Sequence, residues 1–352
     1  MQNQMKALVV TKEKKLQLKD VPLPAYGECD ALVKTISCGL CNGTDGKIIH
    51  QNFKGIHNDM YPLLLGHEAI GEVIETGSKV TSFQAGDIVI MPFTDNIEGY
   101  GSAWGAFSEY GTVNDTAAYI GNGCLPGTEG FPEWGFGQLI IPKTIDPVKA
   151  AMIITFREVL SSIKRFGIGP GSDAVIFGCG PVGLTFIKIM RLLGIRKIIA
   201  LDIIDQKLDD ALANGADIVL NSGDDRFADK IRSICPKGVP FVLDAVGVLD
   251  IINHSMPLLN DQGKICCYGI SPKTKFELDW SDAPYNWQVQ FQQFPSKKEE
   301  GEAHEQVIKW VEKGELVLDD YISDIFDFAD IFTAFEKLEA RQIAKKCIIK
   351  YI

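Results

Sequence analysis

The stretch from Ala174 to Leu193 restricts the fold more tightly than any other. Ala174-Val175-Ile176-Phe177 is an apolar, strand-like run that passes into Gly178-Cys179-Gly180-Pro181-Val182-Gly183 and then into the helix-like Leu184 to Leu193. The glycines answer separate demands. Gly178 permits a tight turn, Gly180 lets backbone approach a pyrophosphate, and Gly183 lets helix and strand pack closely. The N-terminus of that helix offers unpaired N–H groups to an anion, with Pro181 and Val182 of the preceding turn as further cofactor-binding positions. Asp202 closes the next strand-like run, Lys197 to Leu201, 24 residues after Gly178, where a carboxylate accepts from ribose hydroxyls. Such a carboxylate repels a 2′-phosphate, and Ile203 and Ile204 supply no cation to bind one. NAD is therefore favoured over NADP, with Lys207, near in sequence, arguing the other way.

The alternation continues beyond this motif. Val148 to Phe166 and Gln206 to Ala213 have helical spacing, and Ile218 to Leu220, Phe241 to Ala245 and Lys264 to Tyr268 read as strands. These units predict an α/β fold with a doubly wound parallel sheet of Rossmann type over residues 153–292. From Lys6 to Thr155 the chain instead has short β-rich runs, such as Ala31 to Ile36 and Ala69 to Ile74, broken by Gly and Pro. Residues 1–152 are expected to form an irregular β-rich domain, with Asn96 to Gly137 as long loops. The tail offers a helix from Glu302 to about Glu312, another around Ala329 to Ala340, and a closing run from Lys346 to Ile352. Lys297 to Glu302 reads as a solvated charge cluster.

Composition removes several functions. With 35 Lys+Arg against 46 Asp+Glu, the net charge is −11, which argues against a nucleic-acid or anionic-membrane surface. Met1 to Val10 has no apolar core of signal-peptide length, and no run approaches a bilayer-spanning helix, so a cytoplasmic protein is expected. The nine cysteines are odd in number and scattered, unlike a disulfide scaffold. Cys179, Cys266 and Cys267 read as core thiols.

Two short motifs in the β-rich part carry metal chemistry: Cys41-Asn42-Gly43-Thr44-Asp45 and Gly66-His67-Glu68. A thiolate, an imidazole and a carboxylate from separate loops are what catalytic zinc takes while keeping a position open. Cys38-Gly39-Leu40-Cys41 also matches a redox CxxC, without the thioredoxin-like context.

Together the chain resembles the zinc-dependent medium-chain dehydrogenase/reductase family, which includes alcohol, sorbitol and threonine dehydrogenases. The resemblance runs through the Cys41 loop, Gly66 to Val73, Gly86-Asp87, Gly105 to Tyr110, Gly178 to Gly183 and Asp244-Ala245-Val246-Gly247. It implies a GroES-like catalytic domain to which residues 293–352 return, and a Rossmann coenzyme domain between. It also implies Cys41, His67 and Glu68 as ligands of one catalytic zinc per chain, since Met91 to Tyr110 lacks the cysteines of a structural-zinc lobe. Thr44 resembles the hydroxyl that takes the alcohol proton, and Val246, Gly269 and Ile270 would flank the nicotinamide.

The chain departs from the family pattern at several points. One extra residue separates Cys41 from Thr44, and Lys47 stands where a relay histidine is usual, leaving His50 or water as other routes. Counting back from Gly178 to the further ligand position lands near Ile154 or Thr155; Glu158, one turn on, is either that ligand or a helix residue paired with Lys or Arg. Trp104 and Phe107 either line a substrate pocket or anchor loop packing. The activity implied is NAD-linked oxidation of a secondary alcohol, a small polyol, sugar or cyclitol, by a homodimer or homotetramer. The alternatives are a zinc-free quinone or enone reductase of this fold and a noncatalytic NAD(P) sensor.

Overall fold

The computed structural model describes residues 4–95 and 97–351, the side chain of Asn42 excepted. The chain divides into two compact units. One combines residues 1–154 with 296–352; the other is 155–295. The fold is α/β, one unit built on two β-sheets and the other on a parallel sheet. Among the described residues no helix is long and apolar enough to cross a membrane.

In the second unit six parallel strands lie in the order Ile218–Asn221, Lys197–Asp202, Asp173–Phe177, Val239–Asp244, Leu259–Cys267 and Trp287–Phe291. In order of sequence this is 3-2-1-4-5-6, the doubly wound arrangement. Ala174, Val175 and Ile176 are all fully buried, so both faces of the central strand are covered and the run is apolar without alternation. One face carries Val175, Phe177, Ile199, Leu201 and Val242 against Phe227, Ile231 and Ile251. The sixth strand, Trp287–Phe291, goes beyond the strands expected from sequence. Its alternation Trp-Gln-Val-Gln-Phe is the period of a half-exposed edge strand, and Val289 and Phe291 are exposed.

The first unit holds a four-stranded and a seven-stranded sheet. Strand Asp30–Leu40 is central to the larger one. It pairs antiparallel with Glu68–Thr76, setting Gly39 opposite Glu68, and with Lys346–Lys350, setting Leu40 opposite Cys347. Three segments far apart in sequence thus end side by side at Cys41, Glu68 and Lys346.

Two expectations need correction. Lys297 to Glu302 is not a solvated cluster: it opens helix Lys297–Glu312, capped by Ser296 and Glu299, and buries Glu300 against the Lys297 ammonium at 2.5 Å. The stretch expected as loops from Asn96 to Gly137, whose first residue lies outside the described ones, contains strand Tyr110–Asn114 and helix Thr116–Gly121. Asp115 organises that helix, its carboxylate accepting from the backbone N–H groups of Thr81, Ser82 and Ala118.

Candidate metal and dinucleotide sites

Cys41 follows the central strand, and the residues after it absorb the extra residue as a wide π-type turn, Asn42–Gly46, running into a helical turn at Lys47–Ile49. The Asp45 N–H donates to the Cys41 carbonyl at 2.8 Å and the Thr44 N–H to the same oxygen at 3.3 Å. Thr44, buried, therefore stays beside Cys41 despite the insertion. Turns of this type recur at functional sites because they swing a side chain out of helical register.

Ligand atoms of Cys41, His67 and Glu68 lie within 4.8 Å of one another. A sulfur, an imidazole nitrogen and a carboxylate at that spacing fit one tetrahedral zinc ion with bonds of about 2.0–2.3 Å and a fourth position left over. Asp45, fully buried, is the residue that sequence reading left without a role. Its Oδ2 accepts from the Cys41 N–H at 2.9 Å and its Oδ1 lies 3.2 Å from His67 Nδ1, which turns Nε2 toward Glu68, 3.7 Å away. A carboxylate behind a ligating histidine fixes its tautomer and raises its basicity. Without metal, burial opposes a charge on His67, but Asp45 and Cys41 outweigh it and hold the imidazolium well above its ordinary range.

Glu68 is buried and pinned by a residue 278 positions away. Lys346 Nζ donates to both carboxylate oxygens, at 2.7 and 2.6 Å. Burial alone would raise the Glu68 pKa; Lys346 and His67 reverse this and hold it below the usual value. The carboxylate lies over Gly39, where a Cβ would overlap it, so this position of the strand accepts no larger residue without displacing Glu68. No local motif announces Lys346, because only the sheet register brings it here.

In the second unit the fingerprint has the expected geometry. Gly178 turns at φ 99°, and a Cβ on Gly183 would collide with the Gly178 carbonyl, whereas one on Gly180 would meet nothing within 4 Å. The open approach is thus at Gly180, the cap of helix Pro181–Leu192, where the N–H groups of Val182 and Gly183 have no acceptor within the helix. Asp202 accepts from the Cys179 N–H at 2.8 Å and from the Ile204 N–H at 3.0 Å, which holds its carboxylate at the end of the strand. Lys207 lies on helix Asp205–Ala213. Val246, exposed, and Gly269 and Ile270 follow the carboxyl ends of neighbouring strands, with the Gly247 and Gly269 N–H groups both tied to Asp244. This cradle fits a dinucleotide.

The remaining candidates separate clearly. Glu158 is half-buried on helix Met152–Phe166, and its Oε2 faces the Tyr268 hydroxyl at 3.5 Å. His50 is exposed and paired with Glu339 at 3.2 Å. Lys47 is partly buried, which lowers its pKa, with Cys41 opposing. Phe107 is core, fully buried and edge-on to Phe335, whereas Trp104 covers His67 with ring centroids 5.3 Å apart. Cys38, Cys179 and Cys267 are buried thiols, the last two pushed up to about 12 by burial, so none is poised for redox exchange.

Removing the cation from the buried pair has a defined consequence. Lys346→Met is expected to cost about 3–5 kcal/mol of stability, because the buried Glu68 loses both charge-assisted hydrogen bonds and keeps only the more distant His67 as a cationic partner. Glu68→Gln added to it should recover most of the loss. Urea unfolding of the two variants measures both, and a loss below about 1 kcal/mol would contradict the coupling.

Comparison with known proteins speaks to the family and the fold. Residues 181–313 match the family described as zinc-binding dehydrogenase, and residues 27–121 match the alcohol dehydrogenase GroES-like domain. The L-threonine 3-dehydrogenase of Sinorhizobium fredii is 30% identical over 290 residues, covering 80% of this chain and 81% of that protein. The crystal structure of 2R,3R-butanediol dehydrogenase from Bacillus subtilis superposes with a TM-score of 0.78 at 19% identity over 99% of this chain and 100% of the other. Benzyl alcohol dehydrogenase from Acinetobacter calcoaceticus gives 0.79 at 21% identity over 99% of each. At those identities the two structures speak for the fold alone. With four-fifths of each chain aligned to the threonine dehydrogenase, the protein belongs to the zinc-binding, medium-chain dehydrogenase family and is an NAD(P)-dependent oxidoreductase of CH–OH groups.

Proposed function

We propose that the protein interconverts a secondary alcohol and its ketone with one zinc ion per chain and NAD, on a polyol, sugar or cyclitol. The observation that carries this reading is the convergence of Cys41, His67 and Glu68 within 4.8 Å. When bound, zinc supplies Lewis acidity at the alcohol oxygen and the nicotinamide supplies the two-electron acceptor. The chain's own residues do the rest. Asp45 orients His67, Lys346 keeps Glu68 ionised, and the Thr44 hydroxyl takes the alcohol proton, with Lys47 and Glu158 as further polar groups for its exit or for ligation. Zinc-loaded protein should reduce NAD with one class of alcohols. Cys41→Ala should lose zinc and turnover while keeping NAD affinity, and zinc uptake by the apoprotein should strengthen as pH rises, because His67 must shed its proton first. Unchanged turnover in Cys41→Ala would remove the metal mechanism.

The preference for NAD rests on Asp202, whose carboxylate is fixed by two backbone N–H groups and is followed by the exposed Ile203 and Ile204. Asp202→Ala should weaken NAD roughly 10- to 100-fold, the loss of charged hydrogen bonds to ribose, and NADP much less. Titration of both coenzymes checks this; a parent protein that prefers NADP would contradict it.

For assembly we infer a homodimer or homotetramer. Strand Trp287–Phe291 ends its sheet, carries no charge and exposes Val289 and Phe291, which is how an edge awaiting a partner strand looks. Light scattering should give the mass of two or four chains, and a monomer at micromolar concentration would exclude the proposal. Nine free cysteines fit a reducing, cytoplasmic compartment.

A further inference from the structure

We propose that the alcohol used at this centre is carried on a ring, and that Trp104 and Trp134 select it; the inference rests on the zinc-dependent alcohol reading above. Three aromatic side chains extend outward from the metal ligand His67. Trp104 covers the imidazole at 5.3 Å and meets Phe53 at 6.3 Å and 89° and Trp134 at 6.0 Å and 82°. Trp134 is backed by the buried Phe93 at 5.5 Å and remains 39% exposed. The two indoles therefore stand nearly perpendicular, forming a corner that starts at the ligand histidine and ends in solvent.

The backbone at Trp104 is held against its own preference. Its φ of 64° lies in the left-handed region, an outlier for a bulky residue. Hydrogen bonds on both sides impose it: Thr94 donates to the Trp104 carbonyl at 2.8 Å, Ala103 to Leu64 at 2.8 Å, and Ala106 to Gly66 at 2.9 Å. Such conformations persist where the surroundings over-determine them, and they gather at ligand sites. Here the effect is to hold an indole over His67.

A corner of flat apolar planes suits a rigid ring, which offers a C–H face to one indole and an edge to the other. An open-chain polyol has to freeze several torsions to lie there. An amino alcohol brings an ammonium and a carboxylate that need charged partners. Lys297, whose ammonium lies over the Trp134 ring at 5.4 Å, is already engaged by Glu300 at 2.5 Å. A neutral ring alcohol requires neither.

The test uses the zinc-loaded enzyme with NAD and compares kcat/KM for myo-inositol, a pyranose sugar and cyclohexanol with that for glycerol, 2,3-butanediol and L-threonine. The ring alcohols should lead, and Trp134→Ala and Trp104→Phe should each lower the ring-to-open-chain ratio about tenfold at unchanged zinc content. Cyclohexanol against myo-inositol separates a bare ring from a hydroxylated one. Preference for an open-chain alcohol, or a ratio that both variants leave unchanged, overturns the proposal. If no alcohol is oxidised, the underlying reading fails, and isothermal calorimetry with cyclohexanol on the zinc-loaded protein with NAD decides the wall by itself. Saturable binding that both variants weaken sustains it, and no binding, or binding that both variants leave unchanged, refutes it.

Discussion

The buried ion pair between Glu68 and Lys346 is the contact on which the metal centre depends. It joins the first residue of one strand to the first residue of another that arrives near the end of the chain, over a glycine that leaves room for the carboxylate. Taking both charges from water is costly, and the contact stands only because each meets the other with two short hydrogen bonds. Its effect is electrostatic as much as mechanical. A carboxylate neutralised from behind can face a dication, or withdraw from it, without leaving an unpaired charge in the protein interior. Asp45 does the corresponding work for the imidazole and also accepts from the Cys41 N–H, so each of the three candidate ligands is held by a residue outside the ligand set.

The two units supply different physics. The β-rich unit builds its centre from side chains that converge through sheet register, with Gly39 opposite Glu68 and Leu40 opposite Cys347. The parallel unit works through backbone: the open approach at Gly180, the free N–H groups of the following helix, and an aspartate tied to the turn it serves. Side-chain convergence tolerates insertions nearby, as the π-type turn after Cys41 illustrates. A backbone cradle tolerates none, since a Cβ at Gly183 would collide with the turn itself.

What could be read in the sequence follows from this division. The fingerprint from Gly178 to Gly183 is local, so its turn, its helix and Asp202 were legible, and the apolar runs on either side announced a sheet buried on both faces. Cys41 and His67-Glu68 were legible as ligand types. Lys346 was not, because an isolated lysine at the start of a strand carries no sign of the carboxylate it will meet. Asp45 stood in plain view inside the cysteine motif, yet only geometry shows it behind His67. Strand Trp287–Phe291 displayed its alternation and still escaped, being short and bounded by irregular chain. Glu300 misled because a run of charges normally faces water, and here helix packing buries one of them. The orientation of Trp104 depends on hydrogen bonds with two other segments, around Thr94 and from Leu64 to Gly66, and could not be anticipated.

The most direct test of the centre is X-ray absorption at the zinc edge on protein purified without chelator. The account predicts about one zinc per chain, with a single sulfur near 2.3 Å and nitrogen or oxygen ligands at about 2.0–2.2 Å. A shell without sulfur, a shell of several sulfurs, or protein that binds NAD but holds no zinc would contradict it.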